Sequence, residues 1–276
     1  MVDFDFNDGP FTGMGGGSSP RDTFPTLYGY EDARPFLWDS PTAQFTLGVD
    51  ADGDSVTVDL ASDTPHVLVS AGSGAGKSVI ARSLATQALV KGATVAFLDY
   101  KRISHRWAKN LPQVHYAPDV PTMANALVSI AAEVHRRMEI IENSPLSIED
   151  ALADEVRIVV VAEELNGMME ALKEFEATLG KGTFKPTRGF AEIMNLGRAA
   201  KVHVVGFAQY PDYTVVPKRL MESFGYRVLL KHSYNMWNLL VSRSAGSNPP
   251  APNHPGRGYV VAGDRVIKTQ FLFLEE

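Results

Sequence analysis

Eight consecutive residues, Ala71-Gly72-Ser73-Gly74-Ala75-Gly76-Lys77-Ser78, have the types and spacing to hold a triphosphate. Glycines placed this way let successive backbone N–H groups turn inward around phosphate oxygens. A helix opening at Lys77 adds the positive end of its dipole. Gly72, Ser73, Gly74, Ala75 and Gly76 would form the cradle, Lys77 would reach the β- and γ-phosphates, and Ser78 would ligate Mg²⁺. Ala71 stands where the strict pattern has its first glycine. A second group is Glu163-Glu164, which closes the apolar run 157–162. Two acids at a strand end can serve a metal and a water together. Glu163 would orient the Mg²⁺ shell and Glu164 would polarise the attacking water as general base. Third, the run 202–208 ends in Gln209. Its amide would lie near the γ-phosphate, between the loop and the acids, where it could sense ATP against ADP.

These groups need a scaffold that brings distant strand ends to one edge. Mainly apolar segments at 66–70, 94–98, 157–162, 202–208 and 226–230 read as strands. Helical periodicity predicts helices over 77–90, 123–142, 168–179, 190–199 and 235–242. Strands at 258–261 and 266–274 close the chain. Continuous apolar strands alternating with helices predict an α/β fold, with a mainly parallel sheet covered on both faces. Residues 44–49 and 55–60 alternate apolar and polar positions around Asp50-Ala51-Asp52-Gly53-Asp54, which predicts a lead-in β-hairpin over 44–60. The three aspartates resemble the start of a calcium loop, but its closing acid is missing. Residues 1–43 read as an acidic, partly flexible arm: Met14-Gly15-Gly16-Gly17-Ser18-Ser19-Pro20 favours backbone freedom, while aromatics such as Phe24, Tyr28 and Phe36 could dock it. Residues 44–276 then form one domain.

Composition narrows the function classes. A chain of 276 residues without cysteine excludes a disulfide framework, a cysteine-based zinc site and a cysteine nucleophile. No histidine spacing suggests zinc, and His203, inside a strand, reads as a core histidine. No apolar run approaches the roughly 18 residues of a membrane-spanning helix. The acidic N-terminus is unlike a secretory signal, so the expected location is cytoplasmic. The net charge of −6 argues against nucleic acid taken whole, but its distribution does not. Residues 1–65 carry 12 acids against 2 bases, whereas residues 166–276 carry 14 bases against 9 acids.

Taken in order, these motifs resemble the motor domain of the FtsK/SpoIIIE DNA translocases, within the HerA–FtsK group of P-loop ATPases with RecA-like cores. The resemblance covers roughly 45–274. It runs from Leu47-Gly48-Val49-Asp50 and Pro65-His66-Val67-Leu68-Val69 into the phosphate loop. It continues through Leu98-Asp99-Tyr100-Lys101, the acidic strand end, Gly197-Arg198-Ala199-Ala200-Lys201-Val202-His203 and Ala208-Gln209-Tyr210-Pro211, to Tyr226-Arg227-Val228 and Gly256-Arg257-Gly258. The departures are Ala71, a Glu-Glu pair for Asp-Glu, and Tyr210 where arginine is common. The stripped form, with no membrane domain before it and no winged-helix domain after it, fits a mobile element (plasmid transfer or viral genome handling) better than chromosome segregation.

The resemblance implies ATP and Mg²⁺ as cofactors, double-stranded DNA as substrate, and a ring, usually a hexamer, with ATP between subunits. Such a site needs an arginine from the neighbour; Arg198 and Arg227 occupy family-like positions. DNA threading the ring would meet basic loops, and Lys181, Lys185 and Arg188 in the glycine-bounded segment 180–189 would contact phosphates without reading bases. The arm could engage a membrane or element-encoded protein partner. Two alternatives stay open: an ATPase powering protein secretion, and a non-motor ATP-dependent assembly module.

Overall fold

A computed structural model describes residues 24–274, apart from Asp39, Thr64 and Ser73. In chain order, β1 (Tyr28–Gly29) and α1 (Tyr30–Trp38) precede the hairpin β2 (Gln44–Val49) and β3 (Ser55–Asp59). Then come β4 (Val67–Ala71), α2 (Lys77–Val90), β5 (Thr94–Leu98), β6 (Val114–Ala117), α3 (Val120–Asn143) and the single turn α4 (Ile148–Ala151). The second half contains β7 (Ile158–Ala162), α5 (Leu165–Ala177), α6 (Pro186–Leu196), β8 (Val202–Ala208), α7 (Lys218–Glu222), β9 (Tyr226–Leu230), α8 (Tyr234–Leu240), β10 (Arg257–Ala262) and β11 (Arg265–Phe273).

All strands join one sheet, in the order β3-β2-β11-β10-β9-β4-β8-β7-β5-β6, with β1 added beside β11. From β9 to β6 the pairing is parallel. The flank β10, β11, β2 and β3 is antiparallel. This is the expected α/β, RecA-like P-loop core. Every residue of β4 and β8 is buried, because helices cover both faces and neither side can be polar. Alternate residues supply the two faces. Val67, Val69, Phe97 and Phe207 pack with Leu84 of α2. Leu68, Leu98, Val160 and Val204 pack with Leu127 of α3, Met168 of α5 and Phe190 of α6. The topology inserts β8 between β4 and β7, so three chain segments far apart in sequence end side by side.

Several elements differ from the sequence-based expectation. The edge strand β6 was not foreseen; Leu-Pro-Gln precedes it and His115 interrupts its apolar run. α6 begins at Pro186 rather than 190, because proline suits the first helical turn, where its missing N–H costs nothing. The described part of the expected arm is folded. Tyr28 and Gly29 pair with Leu272 and Phe273, and Ala33 and Leu37 bury against Val49, Leu272 and Leu274. This burial outweighs the ordering entropy of so short a segment; the glycine-rich stretch 14–20 lies outside the described residues. In the hairpin turn, Asp50 Oδ1 accepts the backbone N–H groups of Asp52 and Asp54, both at 2.9 Å. That carboxylate is shaping its own loop.

A buried histidine pair at the base of β4 and β8 makes the fold acid-sensitive. His66 accepts the Val204 N–H at Nδ1 (3.0 Å) and donates from Nε2 to the Met194 carbonyl (2.9 Å), so it is held neutral. Burial pulls its pKa down to about 4, with the Met194 carbonyl opposing weakly. His203 is pushed the same way by burial and then by Arg157. The unfolded chain protonates first, so stability is full above about pH 6.5 and is lost as pH falls toward 4. His66 alone accounts for roughly 3 kcal/mol over that window. Urea midpoints at pH 7 and pH 5 check this: the midpoint drops in the wild type, and drops less in His66→Gln.

Candidate active site

The phosphate loop leaves β4 and enters α2. Gly74 and Gly76 have φ of 69° and 100°, the left-handed region that side chains avoid, so the turn depends on glycine at both positions. Gly76 caps α2 without any side-chain cap, which leaves the first N–H groups of the helix free for an anion. Lys77 Nζ folds back on the loop and donates to the carbonyls of Ala71 (2.7 Å) and Gly72 (3.3 Å). Burial lowers its pKa; Lys101 adds to the effect, while Glu164 and Glu163 oppose it. Ser78 is exposed in the first turn of α2. Ala71 is fully buried and belongs to β4, paired with Leu230; its methyl group packs in the core, so the turn begins after it. Ser73 lies outside the described residues.

The two acids divide between inside and outside. Glu163 is buried, and its Oε1 is 2.9 Å from Nε2 of His105. His105 stacks on Phe97 with ring centroids 4.4 Å apart, and its backbone N–H donates to Asp99 Oδ2 (3.2 Å). Tyr116 donates to the same oxygen at 2.8 Å; burial and then the Asp99 carboxylate push its phenol up to about 12. Glu164 is half-buried. It adopts a left-handed conformation, φ 48°, as the capping residue of α5, and its Oε1 pairs with Lys101 Nζ at 2.6 Å. Glu163 is thus an internal carboxylate held by His105, and Glu164 a half-buried carboxylate covered by one cation.

Gln209 stands exposed at the end of β8, between β4 and β7. Ser70 of β4 donates to its carbonyl at 3.3 Å. The loop after it is clamped to α5: Asn166 donates to the Tyr210 carbonyl (2.7 Å) and accepts from the Asp212 N–H (3.2 Å). Phosphate loop, Gln209 and acid pair therefore share one sheet edge. Lys101, His105 and Asn166 complete the cluster; the sequence offers Lys101 only as the end of the Leu98–Lys101 motif, with no role, and does not single out His105 or Asn166. The signal for Lys101 was its place just after β5, the strand beside β7.

The other predicted residues lie elsewhere. Arg198 precedes β8, at the opposite sheet edge from Gln209, about 20 Å away by strand rise. It is exposed and pairs with Asp63 at 2.6 Å. Arg227 is part-buried and donates to the backbone carbonyls of Phe224 and Leu240 in its own chain. The basic segment is less open than expected. Lys181 and Lys185 are exposed, but Arg188 belongs to α6, donates to Glu192 Oε1 (2.8 Å) and lies over the Phe184 ring. Glu176 accepts the Thr187 N–H at 2.6 Å, so acids sit beside these cations.

The chemistry of the donor set fits magnesium nucleotide. Among the described residues no group of three or more His, Asp or Glu is assembled for a metal. Mg²⁺ commonly takes one or two protein ligands and keeps phosphate oxygens and water. The exposed Ser78 hydroxyl suits that role. Also among the described residues, no helix is long and apolar enough to cross a membrane.

Comparison with known proteins agrees with this geometry. The profile of the FtsK/SpoIIIE family matches residues 27–164. The DNA translocase FtsK of Staphylococcus aureus (strain Mu50) is 26% identical over 192 residues, spanning 62% of this chain and 23% of that protein. The Oceanobacillus iheyensis DNA translocase FtsK is 24% identical over 268 residues, 87% of this chain and 32% of that protein. The chain thus spans about a quarter to a third of these relatives. Among solved structures, the pCW3 conjugation coupling protein TcpA, in its monomer form with ATPγS, superposes with a TM-score of 0.76 at 19% identity, over 91% of this chain and 71% of that one. The cytoplasmic domain of the Thermomonospora curvata type VII secretion ATPase EccC gives 0.67 at 20% identity, over 86% and 30%.

Proposed function

Because this chain belongs to the FtsK/SpoIIIE family, a family of ATPase motors, we propose that it hydrolyses ATP to move double-stranded DNA as a cytoplasmic ring, in the service of a mobile element. The observation that carries the reading is the shared sheet edge, where β4, β8 and β7 deliver the phosphate loop, Gln209 and the acid pair side by side. The likeness to a conjugation coupling protein supports the mobile-element role.

The chain's own residues would act as follows. Backbone N–H groups of residues 72–77 hold the phosphates, and Lys77 exchanges its carbonyl partners for phosphate oxygens. Ser78 would hold Mg²⁺, which supplies charge neutralisation when bound, and Glu163, buried against His105, would orient its shell from within. Glu164, once Lys101 moves aside, takes a proton from the attacking water. Gln209 positions that water or reads the γ-phosphate, and Asn166 transmits its position to α5. Arg198, on the opposite edge, is the better placed of the two arginines to serve a neighbouring subunit; Arg227 holds its own fold together. Lys181 and Lys185 are the preferred DNA contacts.

Steady-state ATP hydrolysis with and without linear duplex DNA tests this. Strong stimulation is expected, with the Lys181→Ala/Lys185→Ala double variant needing several-fold more DNA and showing a shallower salt dependence. The likeness to a secretion ATPase favours a polypeptide as second reading. Hydrolysis indifferent to DNA would sink the DNA motor and turn attention to that substrate.

A further inference from the structure

The catalytic edge lies on one side of the phosphate loop, toward β8 and β7. A nucleotide with its γ-phosphate there must extend the other way, toward β9, β10 and β11. On that side the loop opens into a cavity of about 350 Å³, within the range of small-ligand sites. Gly74, Ala75 and Gly76 line both the cradle and this cavity, so the two are continuous. Its floor is apolar, from Val79 and Ile80 of α2, Leu230 of β9 and Phe271 of β11. Its outer wall is Thr26 and Leu27, from the segment ahead of the core.

That segment is pinned on both sides of Leu27. On one side the Phe24 ring lies under the Arg257 guanidinium (4.6 Å) and the Lys268 ammonium (5.1 Å), and Arg257 Nη2 donates to the Pro25 carbonyl at 3.3 Å. On the other side Tyr28 is buried and pairs with Leu272. Between these anchors Leu27 remains 57% exposed, an apolar side chain held at the mouth of an apolar cavity. Such a side chain gains from any flat apolar group placed against it.

We propose that this cavity takes the base and sugar of the bound nucleotide, and that residues 24–29 are a docked strap whose Leu27 closes over the base. The strap thereby sets nucleoside affinity, while the phosphate loop sets phosphate affinity. The proposal rests on the nucleotide reading above.

The test uses the full chain and two probes, ATP and inorganic tripolyphosphate, each titrated calorimetrically with Mg²⁺ matched. The wild type is expected to bind ATP more tightly than tripolyphosphate. Leu27→Asp, which alters the wall, and Phe24→Ala, which releases the anchor, are each expected to weaken ATP by about tenfold. Tripolyphosphate binding stays unchanged in both, and an unchanged thermal midpoint shows that Leu27→Asp is folded. ATP binding unaltered in both variants overturns the strap. So does wild-type ATP binding no tighter than tripolyphosphate, or equal weakening of both probes. A wild type that binds neither probe overturns the nucleotide reading itself, and that outcome is distinct from the other three.

Discussion

Lys77→Ala is expected to lower ATP turnover by about 10²–10³-fold, the loss typical of removing one preorganised stabiliser of developing charge. The structure makes the effect specific. Lys77 Nζ is held at the loop by two carbonyls 2.7 and 3.3 Å away, so the ammonium stays in the cradle at little entropic cost. Its partial burial, which depresses its pKa, strengthens its attraction to phosphate in the same stroke. The variant should fold normally, since the side chain supports no part of the core. Single-turnover hydrolysis beside a thermal melt checks both halves. Turnover within a fewfold of wild type would mean that the loop is not a triphosphate site.

Glu164→Gln is expected to leave ATP binding intact and reduce kcat by about 10²–10⁴-fold, the range for a lost general base. Glutamine keeps the size of the side chain and can still accept from Lys101, so the start of α5 is preserved. What disappears is the ability to take a proton from water. ATP should therefore accumulate on the variant, measurable as retained radiolabelled ATP with no ADP formed. If ADP formed at the wild-type rate, the base would have to be another group. Glu163 is a poor candidate for that role because its Oε1 is occupied by His105 and the carboxyl is buried.

The parts of the site visible in the sequence were those whose chemistry needs contiguous residues. The phosphate loop must be one segment, so Gly72 to Ser78 announced both turn and helix. The acid pair and Gln209 were readable because each ends a strongly apolar strand. What stayed hidden was pairing across long sequence separations. His105 meets Glu163, and Lys101 meets Glu164, only because β5 lies beside β7. Elements with weak periodicity were also missed: β6 is four residues at a sheet edge, and α1 follows a glycine-rich, aromatic stretch that reads as loop. The basic segment differs from its sequence pattern in one respect. Its glycines and proline suggested a continuous loop, yet Pro186 opens a helix that commits Arg188 to Glu192.

Glu164 is at once the acid paired with Lys101 and the residue from which α5 starts, and α5 runs for 13 residues before the segment carrying Lys181 and Lys185. At 1.5 Å per residue the helix is a rod about 20 Å long. Such a rod has the shape of a lever arm with its fulcrum at the Glu164 carboxylate. A tilt of about 5° at Glu164 would carry the far end through nearly 2 Å, on the scale of a side-chain contact. Since φ of Glu164 already lies in the left-handed region, the fulcrum is held away from its relaxed backbone state. A change in what the carboxylate touches would therefore be felt, if α5 tilts on its packed face, where the lysines stand.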